Sequence, residues 1–284
     1  MTEEEDLQTS GAEVRLACST IAWGRNGFVE AVGAISSLGY DGVECPAHLV
    51  REYEDRLHVF EEILDASRLK LCAMLQRGDF LERETADATV ERVANTARFL
   101  GAIGAPALVV SPSNRLEDGA DLDDDDWTTA AAILEEMGQR CDEFGVKLAY
   151  RPRAGHIAGD DKGIKRILGM VDPALVHLCG DTAELALEDI GIERFFKTYG
   201  ERVVHVRLRD ASGAKRRAAV TSDVSGSAPQ FGRGTVDFAK VGRAIARSGY
   251  SGWVSVEIAG EGHTPRSAAE GAFRYMMRKS GLFL

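Results

Sequence analysis

The stretch LAYRPRAGH, Leu148 to His156, reads as a buried strand that releases two arginines, Arg151 and Arg153, at its C-terminal end. Other apolar runs also end in ionisable groups. Glu44 follows GYDGV, Asp181 follows VHLCG with Glu184 three residues on, and Glu257 closes GWVSV. Along VVHVRLRD, His205, Arg207 and Arg209 alternate on one face. Carboxylates and an imidazole so placed can move protons or ligate a metal. Guanidiniums stay protonated and have no lone pair, so they ligate no metal, but they hold oxyanions well. Trp23 at the end of the first strand, with Arg153 and His156 beyond the fifth, are candidates for holding a substrate.

A purely structural role stands beside each of these. Glu44 reads equally as a buried carboxylate satisfied by local N–H groups, Asp181 as a cap for the turn that Thr182 begins, and His205 as a satisfied core histidine. Arg209 and Asp210 read as a solvated strand end, and His156 and His263 as loop surface residues. The run Asp123 to Asp126 reads as the acidic flank of a helix N-terminus, without the spacing of a calcium loop. The case for chemistry is collective. Strands five through eight each end in an ionisable group, and unpaired burial costs on the order of several kcal/mol per charge. Such groups must pair with one another or with a ligand.

The elements that carry these residues repeat a pattern. Strand-length apolar runs alternate with segments of helical period. The strands are expected at Val14–Trp23, DGVECPA, LKLCAMLQ, ALVVSP, KLAYRP, VHLCGD, VVHVRLRD and GWVSVEI. Helices are expected near Gly27–Gly39, Tyr53–Ser67, Thr85–Leu100, Trp127–Phe144, Lys162–Met170, Ile190–Tyr199, Val236–Gly249 and Arg266–Lys279. Eight such units argue for a single α/β (β/α)₈ TIM barrel over residues 14–284, behind a short disordered acidic tail, 1–13. In that fold the inward residues at the C-terminal strand ends converge above the packed core. The loop from Ala211 to Phe231, rich in Gly, Ser and Ala, is expected to be mobile on the same face.

Net charge is −11 with a pI near 5.1, which disfavours a nucleic-acid partner. No stretch approaches the roughly 20 apolar residues of a membrane span, and the acidic start is no signal peptide. Five cysteines without a CxxC pair suggest reduced, buried thiols in a cytoplasmic protein. P-loop, GxSxG and Rossmann glycine patterns are absent. FGRGTVD is glycine-rich and reads either as a phosphate cradle or as a plain loop-to-helix turn.

The segments IAW, GYDGVE, GVKLAY with Pro152, DT at 181–182, VVHVRLRD, FGRGTVDFAKV and GYSGWVSVE, in that order, resemble the xylose-isomerase-like barrel superfamily, nearest its inosose-dehydratase-like branch. The resemblance covers nearly the whole chain. It implies isomerase, epimerase or lyase chemistry on a sugar-like polyhydroxy or keto small molecule, often in dimers or tetramers. It also implies a divalent metal (Mn, Mg, Co or Zn) held by a Glu, an Asp, a His and a Glu ending strands five to eight. Asp181 and Glu257 match that set. The strand-five Glu and the His two residues later fall on Arg151 and Arg153, the strand-seven His falls on Arg207, and the His of a DTGH pattern becomes Glu184.

Three readings follow. In the first, no cofactor is expected. Arg151 and Arg207 pair with Asp181 and Glu257 where the metal would sit and stabilise an oxyanion, while Glu44, Glu184 or His205, tuned toward neutrality, moves the proton. In the second, a metal binds a rearranged set of Asp181, Glu257, His205 and Glu184. In the third, the barrel is non-catalytic and binds an anionic ligand or a partner subunit.

Overall fold

The computed structural model describes residues 13–116, 121–212, 229–258 and 263–283. Eight parallel strands close into a barrel in chain order: β1 (Val14–Ser19), β2 (Gly42–Pro46), β3 (Lys70–Gly78), β4 (Ala107–Pro112), β5 (Lys147–Tyr150), β6 (Val176–Asp181), β7 (Val203–Leu208) and β8 (Gly252–Val256). The helices are α1 (Phe28–Leu38), α2 (Val50–Tyr53), α3 (Leu57–Ala66), α4 (Arg83–Ile103), α5 (Asp124–Asp142), α6 (Asp161–Leu168), α7 (Thr182–Leu187), α8 (Ile192–Tyr199), α9 (Phe238–Arg247) and α10 (Pro265–Lys279). The expected TIM barrel is therefore observed. Residues 1–12 of the acidic tail expected at 1–13 lie outside the described residues, as does most of the loop expected to be mobile, at 213–228.

The first strand and the second helix depart most from expectation. The first strand stops at Ser19, because its ladder ends there: β8 pairs only to Cys18 and β2 only to Ser19. Without a partner strand the chain coils into a 3₁₀ turn, Thr20–Trp23, closed by Gly24 at φ 74°. The helix expected from Tyr53 is instead a broken series, α2, a 3₁₀ turn at Glu54–Arg56, then α3.

Strand alternation divides the core. Leu16, Val43, Leu108, Leu148, Leu178, Val206 and Val254 belong to the large apolar cluster shared with the helices. The smaller cluster holds Ala17, Cys72, Ala73, Ala107, Val109, Ala149 and Cys179 with Trp253. Small side chains in that inner layer leave width for long polar ones in the layer above. Register shifts at Val43/Glu44 and Leu178/Cys179 precede two of those polar residues, Glu44 and Asp181, and re-aim the strands there. The acidic flank at 123–126 is a capping box: the Asp126 N–H donates to Asp123 Oδ1 at 2.9 Å, and the Asp123 N–H donates to Asp126 Oδ2 at 3.0 Å. All five cysteines are buried and unpaired. No helix among the described residues is long and apolar enough to cross a membrane.

Candidate active site at the barrel mouth

The inward side chains at the C-terminal strand ends form one buried ionic network. From β7, Arg207 crosses the barrel to β2. Its Nε lies 3.0 and 3.1 Å from the two Glu44 oxygens, and its Nη2 donates to Glu44 Oε1 at 2.9 Å. The same Nη2 also donates to Glu257 Oε2 beyond β8. Glu44 Oε2 lies 3.1 Å from His205 Nε2, two residues back on β7. Following β5, Arg151 sends Nε and Nη2 to a single oxygen, Asp181 Oδ2, at 2.9 and 2.8 Å, and Nη2 reaches Glu184 Oε1 at 3.0 Å. Arg151 is 2% exposed and Arg207 1%.

Asp181 fills both roles the sequence left open. Its Oδ1 caps α7, accepting the N–H groups of Ala183 and Glu184 at 3.0 and 3.2 Å, while its Oδ2 holds the arginine. That cap explains why Arg151 meets only one oxygen of Asp181: the other is already committed to the helix. Capping also fixes Glu184 in the first turn of α7, where Oε2 accepts the Ala154 N–H at 3.0 Å. The fork of Arg207 goes to Glu44 and not to Glu257, which receives only the one nitrogen.

Burial alone would push these carboxyl groups up, but the guanidiniums outweigh it. Glu44 is held down to about 2 by Arg207 and His205. Asp181 is held well below the ordinary range by Arg151, Arg209, Arg207 and the Glu184 N–H, and Glu257 is lowered by Arg207, Arg209 and Arg151. Burial lowers Arg207, but Glu257, Glu44 and Asp181 raise it further above its usual value. The expectation that burial tunes Glu44 toward neutrality is therefore overturned, because the Arg207 guanidinium lies against both of its oxygens. Among the described residues no three His, Cys, Asp or Glu side chains are grouped so as to share a metal ion.

The other candidates lie around this network. Arg153 donates to the Pro112 carbonyl at 3.0 Å, and its Nη1 is 3.4 Å from His156 Nε2. His156 is buried, with Nδ1 3.0 Å from the Ala154 carbonyl oxygen, so it is no surface residue, whereas His263 is exposed. Trp23 sits half-buried in the 3₁₀ turn, and its indole nitrogen has no hydrogen-bond partner.

A family match spans residues 32–279 and is to the xylose isomerase-like TIM barrel. The chain belongs to that family. An inosose dehydratase of Lacticaseibacillus casei is 27% identical over 247 residues, covering 81% of this chain and 81% of the relative. Among solved structures, the IolI protein with a bound zinc atom superposes with a TM-score of 0.78 at 16% identity, over 95% of this chain and 99% of the other. The apo 3-keto-D-glucoside 4-epimerase YcjR of E. coli gives 0.77 at 16%, over 93% and 99%.

In this xylose isomerase-like barrel, two residues do more than sequence reading assigned them. Arg209 is not a solvated strand end. It is 22% exposed and bridges Glu184 Oε1 at 2.9 Å and Glu257 Oε1 at 3.4 Å. Its alternation with His205 and Arg207 was the available signal. Asp210 is buried, and its carboxylate accepts the N–H groups of Ala211, Gly232, Gly234 and Val236 at 2.8–3.1 Å, tying FGRGTVD back to the end of β7. Gly234 has no room for a side chain there: a Cβ would lie 2.2 Å from Asp210 Oδ1.

Proposed function

We propose that the chain is an isomerase, epimerase or lyase acting on a sugar-like polyhydroxy or keto small molecule, in which guanidiniums take the place of a metal. The observation that carries this reading is the Arg151–Arg207–Arg209 array, interlocked with Glu44, Asp181, Glu184 and Glu257 at the strand ends. The divalent metal implied by the family resemblance does not fit these residues. Arg151 and Arg207 occupy two of its four ligand positions and offer no lone pair. In the rearranged set, Asp181, Glu184, Glu257 and His205 already spend oxygens or nitrogens on arginines, backbone N–H groups and Glu44.

The chemistry assigned is proton removal from a carbon next to a carbonyl. Arg209, the member of the array open to solvent, meets the carbonyl oxygen and stabilises the negative charge that develops on it, with Arg207 behind. Glu184, beside Arg209 at the rim, takes the proton. Glu44 and His205 lie deeper and hold Arg207 in place. The test is solvent-deuterium incorporation, followed by NMR, into a panel of ketoses and keto-inositols, with and without EDTA. Exchange that survives EDTA and falls about 10²–10³-fold in Arg209→Ala supports the reading. Exchange abolished by EDTA and restored by manganese refutes the metal-free part.

One observation favours a second reading, a non-catalytic barrel. Glu44, Asp181 and Glu257 are all held ionised by arginines, which leaves none of the three poised to exchange a proton near neutrality. Saturable ligand binding without exchange across the panel would establish it.

A further inference from the structure

A cavity of about 400 Å³ opens between the ends of β2 and β3, the α2 region and α4. None of the residues of the mouth network lines it. Its walls carry the guanidiniums of Arg25, Arg51 and Arg92, beside one carboxylate, Glu54. That is an unusual concentration of positive charge in a chain of net charge −11. Among the described residues no ion pair is formed by Arg25, Arg51 or Arg92; Arg92 Nη2 donates only to the Thr89 hydroxyl, at 2.9 Å. Nearby carboxylates elsewhere on the surface are taken by other arginines, as Glu52 is by Arg56.

An independent observation points to the same place. Gln76 lines the cavity and is only 7% exposed, yet its amide nitrogen has no hydrogen-bond partner. The amide oxygen is fixed by the Thr96 hydroxyl on α4 at 2.9 Å. In either orientation of that amide one polar atom is left over. Leaving a buried amide group unpaired is destabilising, and a polar group that reaches it relieves the penalty. Pro46, Val50 and Leu75 supply an apolar wall beside it. The combination of permanent cations, one unsatisfied amide and an apolar wall is that of a small-molecule site, and the volume lies in the usual range for one.

We propose that this cavity binds the phosphate group of a small phosphorylated molecule, through residues other than those of the mouth network. The proposal stands whether or not the mouth is catalytic. A phosphomonoester is favoured over a mono- or dicarboxylate because it gathers a charge approaching −2 and three acceptor oxygens on one atom, which suits several guanidiniums lining one cavity.

The experiment is calorimetric titration of the full chain with inorganic phosphate, glucose 6-phosphate, glucose and malonate. Phosphate and glucose 6-phosphate are expected to bind saturably, glucose not at all, and malonate more weakly than phosphate. Arg51→Ala and Arg92→Ala, both at exposed positions, should each weaken phosphate binding by about tenfold. Gln76→Met should weaken it without changing the far-ultraviolet circular dichroism. Arg209→Ala, in the mouth, should leave phosphate affinity unchanged. The proposal is overturned if phosphate shows no saturable binding, if malonate binds as tightly as phosphate, or if Arg209→Ala removes binding while Arg51→Ala and Arg92→Ala do not.

Discussion

Arg207→Met tests the physics of the mouth network most directly, since it removes the charge and keeps an unbranched side chain. In the folded chain burial raises the Glu44 carboxyl, and Arg207 with His205 outweighs that, holding it at about 2 against an ordinary 4.5. A depression of that size corresponds to about 3 kcal/mol of stability. The sign is that of a lowered carboxylate: the contribution is complete above the unfolded value and is lost as pH falls toward the folded one. Without Arg207 the burial remains and the main opposing charge is gone, so the Glu44 carboxyl rises above its ordinary value. Its contribution then reverses, being kept at acid pH and lost as pH climbs. Glu257 loses a partner at the same time.

The variant should therefore be less stable than the parent by about 3–5 kcal/mol near pH 8, the cost of leaving a buried charge unpaired. The gap should shrink as pH falls toward about 4, where Glu44 can protonate. Urea unfolding followed by circular dichroism at several pH values reads it. Arg207→Met combined with Glu44→Gln should recover a large part of the loss, because the stranded charge is then absent. A gap that does not change with pH, or one below about 1 kcal/mol, would place the pair among weak surface-type bridges and refute the reasoning.

Two further outcomes follow from the same geometry. Asp210→Ala strips the acceptor from four backbone N–H groups and should cost about 2–4 kcal/mol, with faster hydrogen exchange at Gly232, Gly234 and Val236; unchanged exchange there would show that the loop does not depend on it. Burial pushes the Cys45 and Cys141 thiols up to about 12 and those of Cys18, Cys72 and Cys179 higher still, so a thiol reagent near neutral pH should find no fast-reacting cysteine in the native chain and all five after unfolding, and a rapid native phase would contradict the placement.

The barrel was legible because period-two and helical patterns alternate along the chain, and because inward strand ends announce themselves as isolated charges after apolar runs. Partner choice was not legible. That Arg207 forks onto Glu44 depends on barrel closure bringing β2 opposite β7 and on the register shift at Val43/Glu44, neither of which is encoded in any short segment. Arg209 was misread for a related reason. A charged residue at a strand end looks the same in sequence whether water or two carboxylates await it, and only the positions of Glu184 and Glu257 decide. Asp210 shows the complementary case, in which a charge read as solvated is enclosed by backbone donors from a segment more than twenty residues away.

Charge balance then separates the two sites. At the mouth Glu44, Asp181, Glu184 and Glu257 face Arg151, Arg207 and Arg209, so every guanidinium there is already matched by a carboxylate. An anion entering there must displace a carboxylate from its guanidinium, whereas a neutral polyhydroxy or keto compound need only share Arg209, the partly exposed member. In the cavity beside α4, Arg25, Arg51 and Arg92, which form no ion pair among the described residues, face one carboxylate, Glu54. The same chain thus offers a neutral carbonyl compound its better site at the mouth and a phosphate its better site beside α4, and a ligand carrying both groups is drawn to each by a different end.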